Sequence, residues 1–156
     1  MPVRLRQKIQ TVPRPLELSA PRAVDVVVGL IGDSSGRWLV NCRPPGTPLA
    51  GSWEFPGGKR QAGEAPLAAL KRELDEELGI EVLEAEPVLV LEHDYPDKRV
   101  RLDVWHVYLY RGPATPREGQ PLRWVTIAEC RELPLLPADG PIVARLGSLR
   151  ASSEVR

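Results

Sequence analysis

Two cysteines are all that this chain of 156 residues contains, Cys42 and Cys130. They lie far apart and form no metal-type spacing, so both read as packing residues of a free-thiol protein, and the expected compartment is the cytoplasm. There are likewise two histidines, His93 and His106, which do not form a ligand pair with each other. No apolar run reaches membrane-spanning length, and the N-terminus lacks the apolar core of a signal peptide, so no membrane partner is expected. Net charge is missing as well: 21 Lys and Arg balance 21 Asp and Glu. With no overall field to recruit nucleic acid, a stable nucleic-acid complex is not expected. There are no internal repeats, and the length suits one domain with a real core.

What is present is unevenly spread. Residues 1–22 are basic and carry four prolines with no sustained periodicity. They read as a peripheral extension with a short strand at 16–18. A domain over 23–150 follows, then a tail at 151–156. Residues 23–31 (AVDVVVGLI) form a β-branched run suited to a buried strand. The Asp33–Gly36 turn and a strand over 37–43 would complete a hairpin. Strands are also expected over 81–92, 99–110 and 124–125, with short helices at 126–132 and 141–149. The mixture implies an α+β sandwich with a mixed sheet.

The chemistry concentrates at 57–80, GGKRQAGEAPLAALKRELDEELGI. Pro66 suits the first helical turn, where its missing N–H costs nothing. Leu67, Leu70, Leu74 and Leu78 then fall within an arc of roughly 80°, one stripe to bury. Glu73, Glu76 and Glu77 lie within an arc of about 100° beside it. Gly79 stands where a glycine ends a helix. Three clustered carboxylates repel one another and call for hard cations, which prefer oxygen ligands.

This pattern, a Gly, five residues, Glu64, seven residues, then Arg72-Glu73-apolar-any-Glu76-Glu77-any-Gly79-apolar, resembles the signature box of the Nudix hydrolases. The resemblance implies a Nudix α/β/α sandwich and hydrolysis of a nucleotide polyphosphate with Mg²⁺, or Mn²⁺ in its place. It implies that Glu76 and Glu77 bind the metal and that Glu73 is a ligand or the general base. Arg72 would orient a glutamate through a bidentate pair, and the Gly57 carbonyl would be a further ligand. Gly58 and Glu64 belong to the motif, Glu64 in a role more structural than catalytic.

Outside the box, residues 28–31, 53–59, 95–97, 118–124 and 136–146 are similar in order and spacing to the family's 8-oxo-dGTP diphosphatases. That likeness implies a nucleoside triphosphate substrate, release of the monophosphate and pyrophosphate, and a role in nucleotide-pool sanitation. It assigns Glu118 to the metal site, Arg43 and Phe55 to the nucleotide, and Asp97 and Lys98 to a substrate-closing loop. Lys98 stands for an arginine and loses a fork of donors. Asp139 stands for an asparagine that reads the guanine edge. Ionised Asp only accepts, whereas Asn donates and accepts. A protonated Asp139 would restore the donor, and Asp139 as a plain helix cap is the competing reading. Other Nudix substrates (CTP or a modified pyrimidine nucleotide, a thiamine phosphate, a dinucleoside polyphosphate) stay open. A silent nucleotide-sensing or RNA-binding module is disfavoured, because all box glutamates are present. The oligomeric state is open, a monomer being the simpler expectation.

Overall fold

The computed structural model describes residues 23–155. The expected strand at 16–18 and the extension that carries it lie outside the described residues.

The first sheet is built on β1 (Val24–Ile31), which from Val27 onward is buried on both faces and apolar throughout. β1 pairs antiparallel with β4 (Gly57–Lys59) on one side and parallel with β6 (Lys98–Arg111) on the other. β6 in turn pairs antiparallel with the long edge strand β5 (Glu81–Tyr95). The edge position tolerates Pro87, which has no N–H to give the ladder, and the register shifts between Pro87 and Leu89. A second, three-stranded sheet runs β3 (Trp53–Glu54), β2 (Trp38–Cys42), β7 (Leu122–Val125).

The expected hairpin of β1 with β2 is not formed. The chain leaves the first sheet at Gly32, turns at Asp33, and enters the second sheet, and the two strands share a single isolated bridge, Gly32 to Trp38. Both strands bury apolar residues against other elements, and that burial outweighs local pairing. The tail is a second correction. Ser153–Val155 form β8, parallel to the end of β6.

α1 (Pro66–Leu78) lies over one face of the first sheet, with Ala69, Leu70, Leu74 and Leu78 buried against Val27 and Ile31. Gly29 permits this approach, since a Cβ there would stand 2.9 Å from Leu74 Cδ1. Gly79 closes the helix in the left-handed region at φ 68°. The opposite face (Val28, Leu30, Val100, Leu102, Val104) packs with β2, β7, α2 (Ile127–Glu132) and α3 (Gly140–Leu146). Thr126 caps α2 through a capping box with Glu129. The result is the expected α+β sandwich. Cys42 and Cys130 are free thiols, Cys130 fully buried.

Candidate active site

β4 and α1 present the box residues to each other across a glycine turn. A side chain at Gly57 would collide with the Val27 carbonyl, and one at Gly58 with the carboxylate of Glu73. Only glycine lets the strand lie this close to both its neighbour and the helix.

Arg72 organises the carboxylates. Its Nε and Nη2 donate to the two oxygens of Glu64, both at 2.8 Å, and Nη2 also donates to the Lys59 carbonyl. Nη1 donates to Glu73 at 3.0 Å and reaches Glu76 at 3.4 Å. The guanidinium holds the Glu64 carboxyl down to about 2. Glu64 thus anchors the turn to α1 rather than facing a ligand.

Glu77 differs from the others. Burial pushes its carboxyl up to about 9, reinforced by the charges of Glu73, Glu118 and Glu54, against a hydrogen bond from the Gly57 backbone. Burial also raises Glu73, against the opposing pull of Arg72. Among the described residues no three His, Cys, Asp or Glu side chains stand close enough together to share a cation. Arg72 draws Glu73 and Glu76 to itself. The donor set is all oxygen and Glu77 is a largely buried carboxyl held by the Gly57 backbone and crowded by like charge, so these residues fit a hard divalent cation.

A cavity of about 700 Å³ opens beside this cluster, a size suited to a small-molecule ligand. Gly57, Gly58, Glu77 and Glu118 line it, as do Arg43, Phe55, Asp97, Lys98 and Asp139. Glu73 borders it behind Gly58. Glu76 is half exposed on the Arg72 side and is not among the lining residues. Trp53, whose segment borders the cavity, does not line it and packs into the core instead.

Asp139 does not cap the helix. It ends a 3-10 turn, Pro137–Asp139, and makes no side-chain cap bond to α3. Its carboxyl is 4% exposed, Oδ2 has no partner, and burial with the Glu54 charge pushes it up to about 8 despite a hydrogen bond from the Phe55 backbone. Burial thus favours its protonated form, which presents a donor as well as an acceptor. Tyr95 ties this end down, its hydroxyl accepting from the Ala138 N–H at 3.4 Å.

Three residues with a place in the site went unnoticed in the sequence. Gln120 is buried, donates to the Glu77 carbonyl at 3.0 Å and accepts from the Glu118 N–H at 3.0 Å, so it fixes the loop bearing Glu118 to the end of α1. Asn41 and Glu54, register partners on β2 and β3, both line the cavity. Glu54 and Gln120 stand inside the segments 53–59 and 118–124 that carried the resemblance, without a role of their own, whereas Asn41 gave no signal.

A glycine turn delivered into a carboxylate helix on a mixed sheet, with a ligand-sized cavity alongside, suits metal-assisted hydrolysis of a small anionic substrate. The chain belongs to the Nudix family, whose NUDIX domain model matches residues 27–145. It is 37% identical to the CTP pyrophosphohydrolase of Escherichia coli over 131 residues, 84% of this chain and 96% of that protein. It is 32% identical to the 8-oxo-dGTP diphosphatase of the same organism over 128 residues, 82% of this chain and 99% of that one. Among solved structures, one described for MutT from Aliivibrio salmonicida and Vibrio cholerae superposes with a TM-score of 0.70 at 33% identity, covering 81% of this chain and 98% of that one. The solution structure of the Escherichia coli ORF135 protein gives 0.72 at 37% identity, covering 84% and 93%. Nudix hydrolases typically need a divalent metal. Among the described residues, no helix is long and apolar enough to cross a membrane.

Proposed function

We propose that the chain is a Mg²⁺-dependent nucleoside triphosphate pyrophosphohydrolase acting on 8-oxo-dGTP, giving 8-oxo-dGMP and pyrophosphate. The observation that carries this reading is the continuity of one cavity, which joins Gly57, Glu77 and Glu118 to Phe55 and Asp139. Phosphates would lie at the first group and the base at the second. A neutral Asp139 can donate to guanine O6 and accept from N1–H, which answers the loss of the family's asparagine.

Glu73, Glu76, Glu77, Glu118 and the Gly57 carbonyl would hold the cation. When bound, Mg²⁺, or Mn²⁺ in its place, neutralises phosphate charge and acidifies water. Glu73 takes the proton of the attacking water, for which its raised carboxyl is suited. Arg72 fixes that carboxylate from behind. Arg43, Asp97 and Lys98, which line the cavity, would bind the nucleotide. Such an enzyme would work in the cytoplasm as a guard of the nucleotide pool, needing no nucleic-acid or membrane partner, and a monomer suffices for a cavity built from one chain.

A second substrate has its own support. A protonated Asp139 also matches cytosine, donating to N3 and accepting from the N4 amine, and the chain is similar to a CTP pyrophosphohydrolase. The test of the reaction itself is product analysis by ³¹P NMR after incubating the protein with 8-oxo-dGTP and Mg²⁺. Monophosphate and pyrophosphate are expected. Release of orthophosphate and a diphosphate, or no turnover, would contradict the proposal.

A further inference from the structure

Among the described residues, Leu49 is the one non-glycine residue in the left-handed region, at φ 58°. That conformation crowds a Cβ and is rare outside glycine, asparagine and aspartate. The same loop uses glycine at its other left-handed positions, Gly46 at 85° and Gly51 at 86°. At 49 it carries instead a leucine that is 48% exposed, lines the cavity and belongs to neither core cluster. The loop holds the backbone there. Arg43 Nε donates to the Pro48 carbonyl at 2.6 Å, and the Leu49 carbonyl accepts from the Ser52 N–H at 3.1 Å. The Arg43 N–H closes the loop on the Ser52 carbonyl at 2.9 Å. A single exposed leucine is ordinary on a protein surface. A leucine that is both strained and exposed on a cavity wall is not, because strain of that kind concentrates at ligand sites.

We propose that Leu49 is a substrate-contacting residue, a preset apolar brace that packs on the exposed side of the bound nucleoside. This rests on the nucleotide reading of the cavity and adds a contact that no hydrogen-bonding group supplies. A hydrocarbon side chain offers a phosphate neither donor nor charge, so its partner is the apolar surface of base or sugar. The loop also stands at that end. Arg43 Nη1 reaches Glu54 at 3.3 Å, and Glu54 precedes Phe55, whose backbone bonds to Asp139. A ligand seated there takes Leu49 surface out of water, which offsets the backbone strain only while the site is filled. The contact reads apolar surface rather than a pattern of donors, so it serves either base named above.

The test measures 8-oxo-dGTP hydrolysis and melting temperature in the wild-type chain and in Leu49→Asn, Leu49→Gly and Leu49→Met. Asparagine and glycine both suit the left-handed backbone, so melting temperature should hold or rise in those two variants. Their KM should rise roughly three- to tenfold, with kcat within about twofold of the wild type. Inhibition by inorganic pyrophosphate, which has no nucleoside, should be unchanged. Leu49→Met keeps an apolar chain of similar volume and should stay within about twofold in KM. An unchanged KM in Leu49→Asn and Leu49→Gly would overturn the inference. Pyrophosphate inhibition weakened by the same factor would also overturn it, by pointing to a loosened loop. So would a clear drop in melting temperature in both variants, which would assign Leu49 to packing. Calorimetric titration with 8-oxo-dGMP separates this inference from the hydrolytic reading. Binding that weakens in the variants, without triphosphate turnover in the wild type, would end the hydrolytic reading and keep this one. Turnover with binding indifferent to residue 49 would do the reverse. Neither turnover nor binding of 8-oxo-dGMP or CMP in the wild type would end both.

Discussion

Arg72 grips Glu64 in a fork, Nε to Oε2 and Nη2 to Oε1, each at 2.8 Å. One guanidinium thereby connects the glycine turn to the helix that carries Glu73 and Glu76. Lysine keeps the charge and loses the fork. Arg72→Lys should lower kcat/KM by roughly ten- to a hundredfold with a small change in melting temperature. Activity within twofold of the wild type would mean that charge alone suffices.

Glu73→Gln isolates the proton acceptor, because the amide oxygen can still take the hydrogen bond from Arg72. Turnover should drop by roughly 10²–10⁴, with the melting temperature almost unchanged. Near-normal kcat would remove Glu73 from the proposed chemistry.

Gln120→Leu tests the loop anchor. The substitution leaves the Glu77 carbonyl with the Arg117 N–H alone and takes the acceptor from the Glu118 N–H, at a cost of about 1–3 kcal/mol. Because Glu118 then loses its fixed place, the Mg²⁺ concentration for half-maximal activity should rise roughly tenfold. An unchanged Mg²⁺ dependence in a folded variant would detach Gln120 from the site.

Asp139 should leave a pH signature in stability. Its folded carboxyl sits at about 8 against an ordinary 3.8. Below the lower value both folded and unfolded chains hold the proton. As pH rises, the unfolded chain ionises first, the folded chain binds more protons, and stability falls until the folded carboxyl also ionises. Asp139→Asn lacks this loss. The difference in melting temperature, variant minus wild type, should widen from pH 5 to pH 8. A constant difference over that window would show that Asp139 is ionised in the folded protein.

The contrast between what the chain discloses and what it hides follows from how each feature is encoded. The box helix was legible because its apolar stripe and its carboxylates both follow the 3.6-residue period, and Gly79 marks its end. β1 and β6 were legible from composition and alternation. Partner choice was not, since β2 pairs with β3 and β7 rather than with its neighbour β1. Nothing in residues 37–43 specifies which sheet will bury them. The final strand is short and polar, and is held by Ser152, whose buried hydroxyl accepts from the Gly32 N–H and donates to the Val107 carbonyl. No pattern announces such a contact. Asn41 and Gln120 were hidden for the same reason, as single polar residues whose importance lies in burial and in partners distant in sequence. The cap reading of Asp139 could be set aside only by geometry, through the absence of a side-chain cap bond to α3.

The same contact gives a stability test outside the site. Ser152→Ala should cost about 1–3 kcal/mol and leave KM unchanged in urea-titration and kinetic measurements. No loss of stability would mean that the C-terminal strand is not secured there.

The most direct test of the proposed activity is steady-state kcat/KM with Mg²⁺ for 8-oxo-dGTP beside dGTP, CTP, thiamine diphosphate and a diadenosine polyphosphate. 8-oxo-dGTP should lead, with at least about a hundredfold margin over dGTP, about 2.7 kcal/mol in transition-state binding. Equal rates on 8-oxo-dGTP and dGTP, or a better rate on another member of the panel, would contradict it.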